Sequence, residues 1–207
     1  MSFKKKLENY WYYYKWHTVI AVFIIFVVGF TIKSATESKE NDLFMVYVSD
    51  KAIDTDVSGK LGKDLEKNKL IKDVNGDSEV NFYLDTLVTS LDGNNSDVAS
   101  MQKLQVYMLA GEQSLMLVHK YIPEDYDGTF EDISAYASED DTVYKGSNGK
   151  ITAISVEGNS YLENMGINTE NLYIGIHARS DKQIEKHERD AEYKMAHNIL
   201  KYILKNK

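Results

Sequence analysis

The segment that most restricts how this chain can fold is an uncharged apolar run over residues 19–32. It follows an aromatic stretch that includes Trp11 and Trp16, whose rings suit the headgroup boundary of a bilayer. Counted from Tyr14, the run reaches nineteen residues, with Lys15 able to extend its ammonium toward water. A membrane-spanning helix needs about 20 residues. The sequence therefore predicts one spanning helix.

Lysines predict the orientation of this helix. Four lysines precede the apolar run, whereas the two that follow it lie among three acidic residues. Cytoplasmic flanks carry the excess of positive charge, so the amino terminus is predicted in the cytoplasm and residues 41–207 outside the cell. A cleaved signal peptide is disfavoured, because the best small-residue cleavage site, ending at Ala35, has Lys33 at its −3 position.

These features predict a single-pass protein of the cell membrane in three parts. Residues 1–34 form a cytoplasmic juxtamembrane segment and the transmembrane helix, residues 35–42 form a tether, and residues 43–207 form an extracellular domain. The net charge of −8 divides accordingly, with +3 in residues 1–40 and −11 in the remainder. The acidic outer part argues against nucleic-acid binding, which needs clustered positive charge. The membrane is the partner that charge and hydropathy predict.

Hydrophobic periodicity divides residues 43–207 into alternating strands and helices. Strands are predicted over residues 43–49, 79–88, 114–118, 151–156 and 172–176. Helices are predicted around residues 61–70, 98–109, 161–165 and 182–205. This alternation indicates an α/β fold, with a single-layer mixed or parallel sheet flanked by helices.

Two of the predicted helices carry apolar residues that we expect to be buried. In the helix over residues 98–109 they are Val98, Met101, Leu104, Met108 and Leu109. In the last helix, expected to run unbroken, they are Ile184, Ala191, Met195, Ile199 and Ile203.

Residues 73–81 resemble a dockerin-type calcium loop. Positions 1, 3, 5 and 7 carry side-chain oxygens that can converge on a hard cation: Asp73, Asn75, Asp77 and Glu79. Two positions depart from the pattern, since Ser78 replaces a glycine and Leu84 stands where the last ligand belongs. The alternative is a polar turn centred on Gly76, which the departures favour. Ca²⁺ is the one cofactor considered.

No catalytic constellation is recognisable in the sequence. Residues 146–150 lack the spacing of a phosphate-binding loop, and no Gly-x-Ser-x-Gly elbow occurs. His187 and Glu188 begin like a metalloprotease helix, but Ala191 stands where the second histidine belongs. We therefore expect a protein that is not an enzyme.

Several stretches resemble known proteins. Residues 95–136 contain a helix ending at Ala110 and Gly111, an apolar strand, and a segment from Phe130 to Ile133. Together with residues 172–176 and the closing helix, this order resembles extracellular solute-binding proteins of ABC importers, which have the type II periplasmic-binding fold. Residues 7–17 resemble the amino-terminal part of membrane-anchored proteins of clostridia-like, Gram-positive bacteria.

The resemblance implies a solute-binding-like domain with only one lobe. Only fifteen residues separate the predicted strand 151–156 from the final strand and helix, which leaves no room for a second lobe. The family's lipid-anchoring cysteine is absent, and the transmembrane helix would take its place.

In such a domain a ligand would lie at the carboxyl ends of the strands. The candidate ligand-binding residues are His119, Tyr121, Glu157 and Tyr161. We thus predict a membrane-anchored, extracytoplasmic binding or interaction module. The alternatives are capture of a small solute for an ABC importer, and a structural or assembly role with another envelope protein.

Overall fold

The computed structural model describes residues 3–36, 41–89, 98–111, 113–186 and 189–207. They belong to two compact units, Met1–Glu40 and Asn41–Lys207. The first unit is one helix, α1 (Phe3–Thr36). Its apolar window, Tyr10–Gly29, is wholly unburied, and the helix is long and apolar enough to be a membrane anchor or a signal sequence. Residues 37–40 of the predicted tether lie outside the described residues.

The second unit alternates strands and helices. Its elements in chain order are β1 (Leu43–Ser49), α2 (Val57–Lys67), β2 (Phe82–Val88), α3 (Val98–Ala110), β3 (Leu115–His119), α4 (Ile122–Asp125), a 3₁₀ turn (Ser134–Tyr136), β4 (Val143–Lys145), β5 (Ile151–Ser155), α5 (Ser160–Met165), β6 (Leu172–Ile176), α6 (Asp181–Glu185) and α7 (Asp190–Lys205).

The six strands form one mixed sheet, which confirms the predicted α/β class. Their order is β2-β1-β3-β6-β5-β4. Strand β1 pairs in parallel with β2 and β3, whereas β6 is antiparallel to both β3 and β5. Strand β5 therefore runs in the same direction as β1, β2 and β3. The short strand β4, antiparallel to β5, was not predicted.

Helices cover both faces of the sheet. On one face, which we call the major face, alternate residues of β1, β3 and β6 pack against α2, α5 and α7. On the other, the minor face, Val46, Val48, Met116 and Val118 pack against α3 and α4. The interior strand β1 is thus buried on both sides, as its continuous apolar sequence predicts.

Helix α3 corrects one prediction. Val98 and Leu109 are 65% and 88% exposed, whereas Leu104 and Met108 are buried. Residues 98 and 109 lie eleven positions apart, about three turns of an α-helix, so they share a face. That face is turned away from the core, because Tyr107 on the buried side bonds to the sheet.

The predicted unbroken last helix is also wrong. Helix α6 ends before Lys186, and α7 begins only after Arg189, whose backbone is left-handed (φ 61°). Ile184 is 49% exposed and Ala191 is exposed, because these positions do not continue the stripe of α7. The rest of the expected stripe is buried: Met195, Ile199 and Ile203.

Candidate functional site

The candidate site lies at one edge of the sheet, which we call the carboxyl edge. The parallel strands β1, β2, β3 and β5 all end there. Strand β6 begins there, since it is antiparallel, and Leu172 pairs with His119. Loops that follow parallel strands therefore meet the loop that precedes β6.

The connections that follow β1 and β3 diverge at this edge. After β1 the chain passes to α2, whose Leu61 and Leu65 pack on the major face. After β3 it passes to α4, whose Ile122 packs on the minor face. Because the two connections leave on opposite faces, this is the topological switch point of the sheet, the place where open α/β sheets bind their ligands. We call this place the switch-point crevice.

Polar side chains replace apolar ones where β1 and β3 reach the crevice. Tyr47, Ser49 and His119 occupy alternate positions on the major face and are at most 6% exposed. Nδ1 of His119 is buried with no hydrogen-bond partner among the described residues. The Tyr47 hydroxyl is likewise buried without a partner at normal distance and angle, although Ser49 lies beside it.

Charges surround these buried groups. The Ser49 hydroxyl donates to the Asp50 carboxylate at 3.2 Å. Lys51 forms an ion pair with Glu170, which joins the end of β1 to the loop before β6. Burial lowers the pKa of His119, although the carboxylates of Asp50 and Glu170 favour its charged form. The ring is therefore neutral near pH 7.

Tyr121 lies at the mouth of the crevice. Its side chain is 47% exposed, and its ring centroid is 5.1 Å from that of His119. The Lys120 ammonium lies 5.2 Å from the centroid of the Tyr121 ring, close enough for a cation–π interaction. The structure thus brings the predicted residues His119 and Tyr121 into contact.

Glu157 lies at the same edge, beside a cavity of about 480 Å³. The cavity is lined by Glu157, Gly158, Glu163, Asn168, Thr169 and Glu170. The Thr169 hydroxyl accepts from the Gly158 backbone at 3.1 Å and donates to Glu163 at 2.8 Å, which fixes the two sides of the cavity to each other. Strand β6 separates the end of β3 from that of β5, so Glu157 and His119 do not come from adjacent strands.

Tyr161 faces elsewhere. Its hydroxyl donates to the Asp64 carboxylate of α2 at 2.8 Å, and its ring packs edge-on against Tyr202 of α7 at 5.2 Å. Burial, with the bond to Asp64, raises the pKa of Tyr161 well above its ordinary value. This side chain joins three helices of the major face and does not line the cavity.

Residues 73–81 form a turn at the opposite edge, beside the starts of β1 and β2. Oxygens of Asp73 accept from the backbone of Gly76 at 2.6 Å and Ser78 at 2.9 Å. Asn75 and Asp77 accept in the same way from residues 77 and 79, at 2.9 and 2.8 Å. Among the described residues no three His, Asp or Glu side chains converge as metal ligands. Calcium binding by Asp73, Asn75, Asp77 and Glu79 stays a prediction.

Sequence reasoning did not single out Tyr47, Ser49, Asp50 or Glu170. The signal for the first two was present, because polar groups at alternate positions near the end of a buried strand predict a polar edge. Glu170 had no such signal, since its place depends on the antiparallel direction of β6. No family model, no curated protein and no solved structure was found to match the chain.

Proposed function

We propose that the protein is a membrane-anchored, extracytoplasmic binding module whose ligand site is the switch-point crevice. The observation that carries this proposal is that two of the buried polar atoms without a hydrogen-bond partner among the described residues, the Tyr47 hydroxyl and His119 Nδ1, lie at this edge. Buried polar groups are nearly always hydrogen-bonded, and an unpaired one costs about 1–3 kcal/mol. Both atoms are shielded from solvent, so a polar ligand would satisfy them after a side-chain rearrangement that opens this edge.

The course of the chain supports this assignment. Helix α1 is apolar enough to anchor the protein, and the lysines before it favour an outer location for Asn41–Lys207. The chain enters the outer unit at the amino end of β1, and the crevice lies at the other end of that seven-residue strand, about 23 Å away.

The kind of binding follows from the open edge. A one-lobed domain, as the likeness to solute-binding proteins implies, cannot close around a small ligand, so much of the ligand stays in water. The half-exposed Tyr121 fits such an open site. We expect fast, reversible binding that presents a ligand to another envelope component.

Single cysteines test the orientation, because the chain contains none of its own. Glu185→Cys places a thiol on the exposed helix α6, and Ser2→Cys places one before the span. A membrane-impermeant maleimide should label Glu185→Cys in intact cells and Ser2→Cys only after lysis. The opposite pattern would refute the outer location.

Ligand binding is tested on the full chain in detergent micelles. We would record thermal unfolding across a panel of amino acids, sugars, short peptides, amines and organic acids. A ligand at about 100 times its Kd adds about 2.7 kcal/mol to the free energy of unfolding. His119→Phe should abolish the shift. A panel without any shift, or a shift that His119→Phe leaves intact, would refute the crevice as the site.

A further inference from the structure

Helix α3 presents an apolar, uncharged face to solvent on the minor side of the sheet. Val98, Val106 and Leu109 are each more than half exposed, and Gln102 and Gln105 are exposed between them. The outer face of a helix in a globular domain is normally polar and charged. Exposed apolar side chains grouped on one helix face therefore indicate a surface for a partner.

The charge of the domain favours a second copy of the chain as that partner. Residues 41–207 carry a net charge of −11, so most parts of two copies repel each other. Residues 98–111 contain no acidic residue, and their one cation, Lys103, is paired with Asp85 at 2.6 Å. Two copies can therefore meet at α3 with the least repulsion. A bilayer fits this face less well, because helices that lie on membranes are rich in lysine and arginine on their polar side.

The order of residues along α3 fits an antiparallel pairing of the helix with itself. Four positions are spaced by four, three and four residues, the spacing of the contact seam between two packed helices: Val98, Gln102, Gln105 and Leu109. In an antiparallel pair about a two-fold axis, Val98 lies opposite Leu109 of the second copy. Gln102 then lies opposite Gln105, and each amide can both donate and accept. The face is thus complementary to itself, as a two-fold interface requires.

We propose that the exposed face of α3 is a self-association surface, through which two copies of the chain form a weak antiparallel dimer. Three apolar side chains cover less than the about 800 Å² per partner of a standard interface, so the dimer needs a high local concentration. Helix α1, long and apolar enough to be an anchor, would supply it by holding the copies in one bilayer. The need for the anchor rests on the proposed function, whereas the surface itself does not involve the crevice.

Cysteine cross-linking tests the register, because the chain contains no cysteine of its own. Full-length Val98→Cys and Leu109→Cys variants are reconstituted together in phosphatidylcholine vesicles and oxidised. A disulfide needs Cα atoms within about 7 Å, a distance that only opposed positions of the two helices reach. Two copies of Val98→Cys would lie about 16 Å apart along the pair, eleven residues at 1.5 Å each. The mixture should therefore form disulfide-linked dimers, and either variant alone should not.

An added charge at the centre of the pair provides a second test. Gln102→Glu, introduced into both cysteine variants, should abolish the mixed disulfide, because two carboxylates would then meet in the interface. Asn198→Asp is the matched control, since it adds the same charge at an exposed position of α7 and should leave the disulfide unchanged. Both positions are exposed, so neither change should alter the melting temperature.

Three results would overturn the inference. They are the absence of the mixed disulfide, equal cross-linking of Val98→Cys alone, and a mixed disulfide that Gln102→Glu leaves unchanged. Flotation of the vesicles in the same samples shows whether the chain is anchored. A chain that does not float would contradict the anchor in the proposed function, and the same oxidation in concentrated solution would then test α3. Dimerisation lost only in the Gln102→Glu variants would support the surface whatever the ligand panel shows for the crevice.

Discussion

Two buried tyrosines provide a matched test of the unpaired groups in the crevice. The Tyr107 hydroxyl donates to Asp85 at 2.6 Å, and the same carboxylate holds the Lys103 ammonium at 2.6 Å. Burial, together with the bond to Asp85, raises the pKa of Tyr107 to about 12. The Tyr47 hydroxyl is buried more deeply but has no partner of normal geometry among the described residues. Tyr→Phe therefore removes a hydrogen bond at one position and an unpaired hydroxyl at the other.

The two substitutions should change stability in different ways. A hydrogen bond to a charged group contributes about 1.5–3 kcal/mol, so Tyr107→Phe should lower the free energy of unfolding by that amount. For a domain of this size the melting temperature should fall by about 3–12 °C. Tyr47→Phe should leave it unchanged or raise it, since an unpaired buried polar atom costs about 1–3 kcal/mol. His119→Phe should behave like Tyr47→Phe.

Near-ultraviolet circular dichroism of the tyrosines is the suitable measurement. Trp11 and Trp16 both lie in α1, so tryptophan fluorescence follows the apolar helix and not the unit Asn41–Lys207. The full chain is heated in micelles at pH 7.5 in the absence of ligand. If Tyr47→Phe loses as much stability as Tyr107→Phe, the Tyr47 hydroxyl is hydrogen-bonded within the fold. One of the two unpaired groups that support a ligand site at the switch-point crevice is then removed.

Three further predictions concern other parts of the unit Asn41–Lys207. Asn159→Ala should destabilise by about 2–4 kcal/mol, because its side chain caps α5 through Leu162 N at 3.0 Å and donates to the Ile203 carbonyl at 2.9 Å. Asn159→Ser, which keeps a cap, should recover part of this loss in the same melting experiment. Gly175→Ala should also destabilise, since the added methyl would lie 2.9 Å from the Phe130 ring and 3.0 Å from a backbone oxygen. Gly59→Ala, where an added methyl meets nothing and the backbone is not left-handed, is the control and should not destabilise. Finally, the free energy of unfolding should fall as the pH drops below about 6.5. Burial lowers the pKa values of both His119 and His177 in the folded chain. The unfolded chain therefore binds protons that the folded chain does not. The loss should be complete once the pH has fallen below the lowered pKa values, and it should be smaller in a His119→Phe variant. A free energy of unfolding that increases as the pH falls from 7 to 5 would contradict this prediction.

The fold was largely predictable because its signals are local. Five strands have continuous or alternating apolar residues, and β1 and β6 coincide with their predicted bounds. Strand β4 was not predicted because a strand of three residues is too short to show a hydrophobic periodicity. The break before α7 was not predicted because it depends on the left-handed backbone of Arg189. Arginine is not a residue type that indicates such a conformation.

The site was predictable only in part, for a topological reason. A general rule places ligands at the carboxyl ends of parallel strands, and it led to His119, Tyr121 and Glu157. Tyr161 follows Glu157 closely in sequence, but the first turn of α5 directs it to Asp64. The rotation of a short helix is set by packing, which sequence proximity does not show.

The antiparallel direction of β6 is what completes the crevice. A parallel strand in its place would begin at the opposite edge, and the segment before it would lie far from His119. Because β6 runs the other way, its amino end brings Glu170 to the end of β1, where the ion pair with Lys51 joins the two. The groups around the crevice are therefore held by strand ends from three separate parts of the chain. Strand ends keep side chains more precisely placed than free loops do, which favours selective recognition even at an open edge.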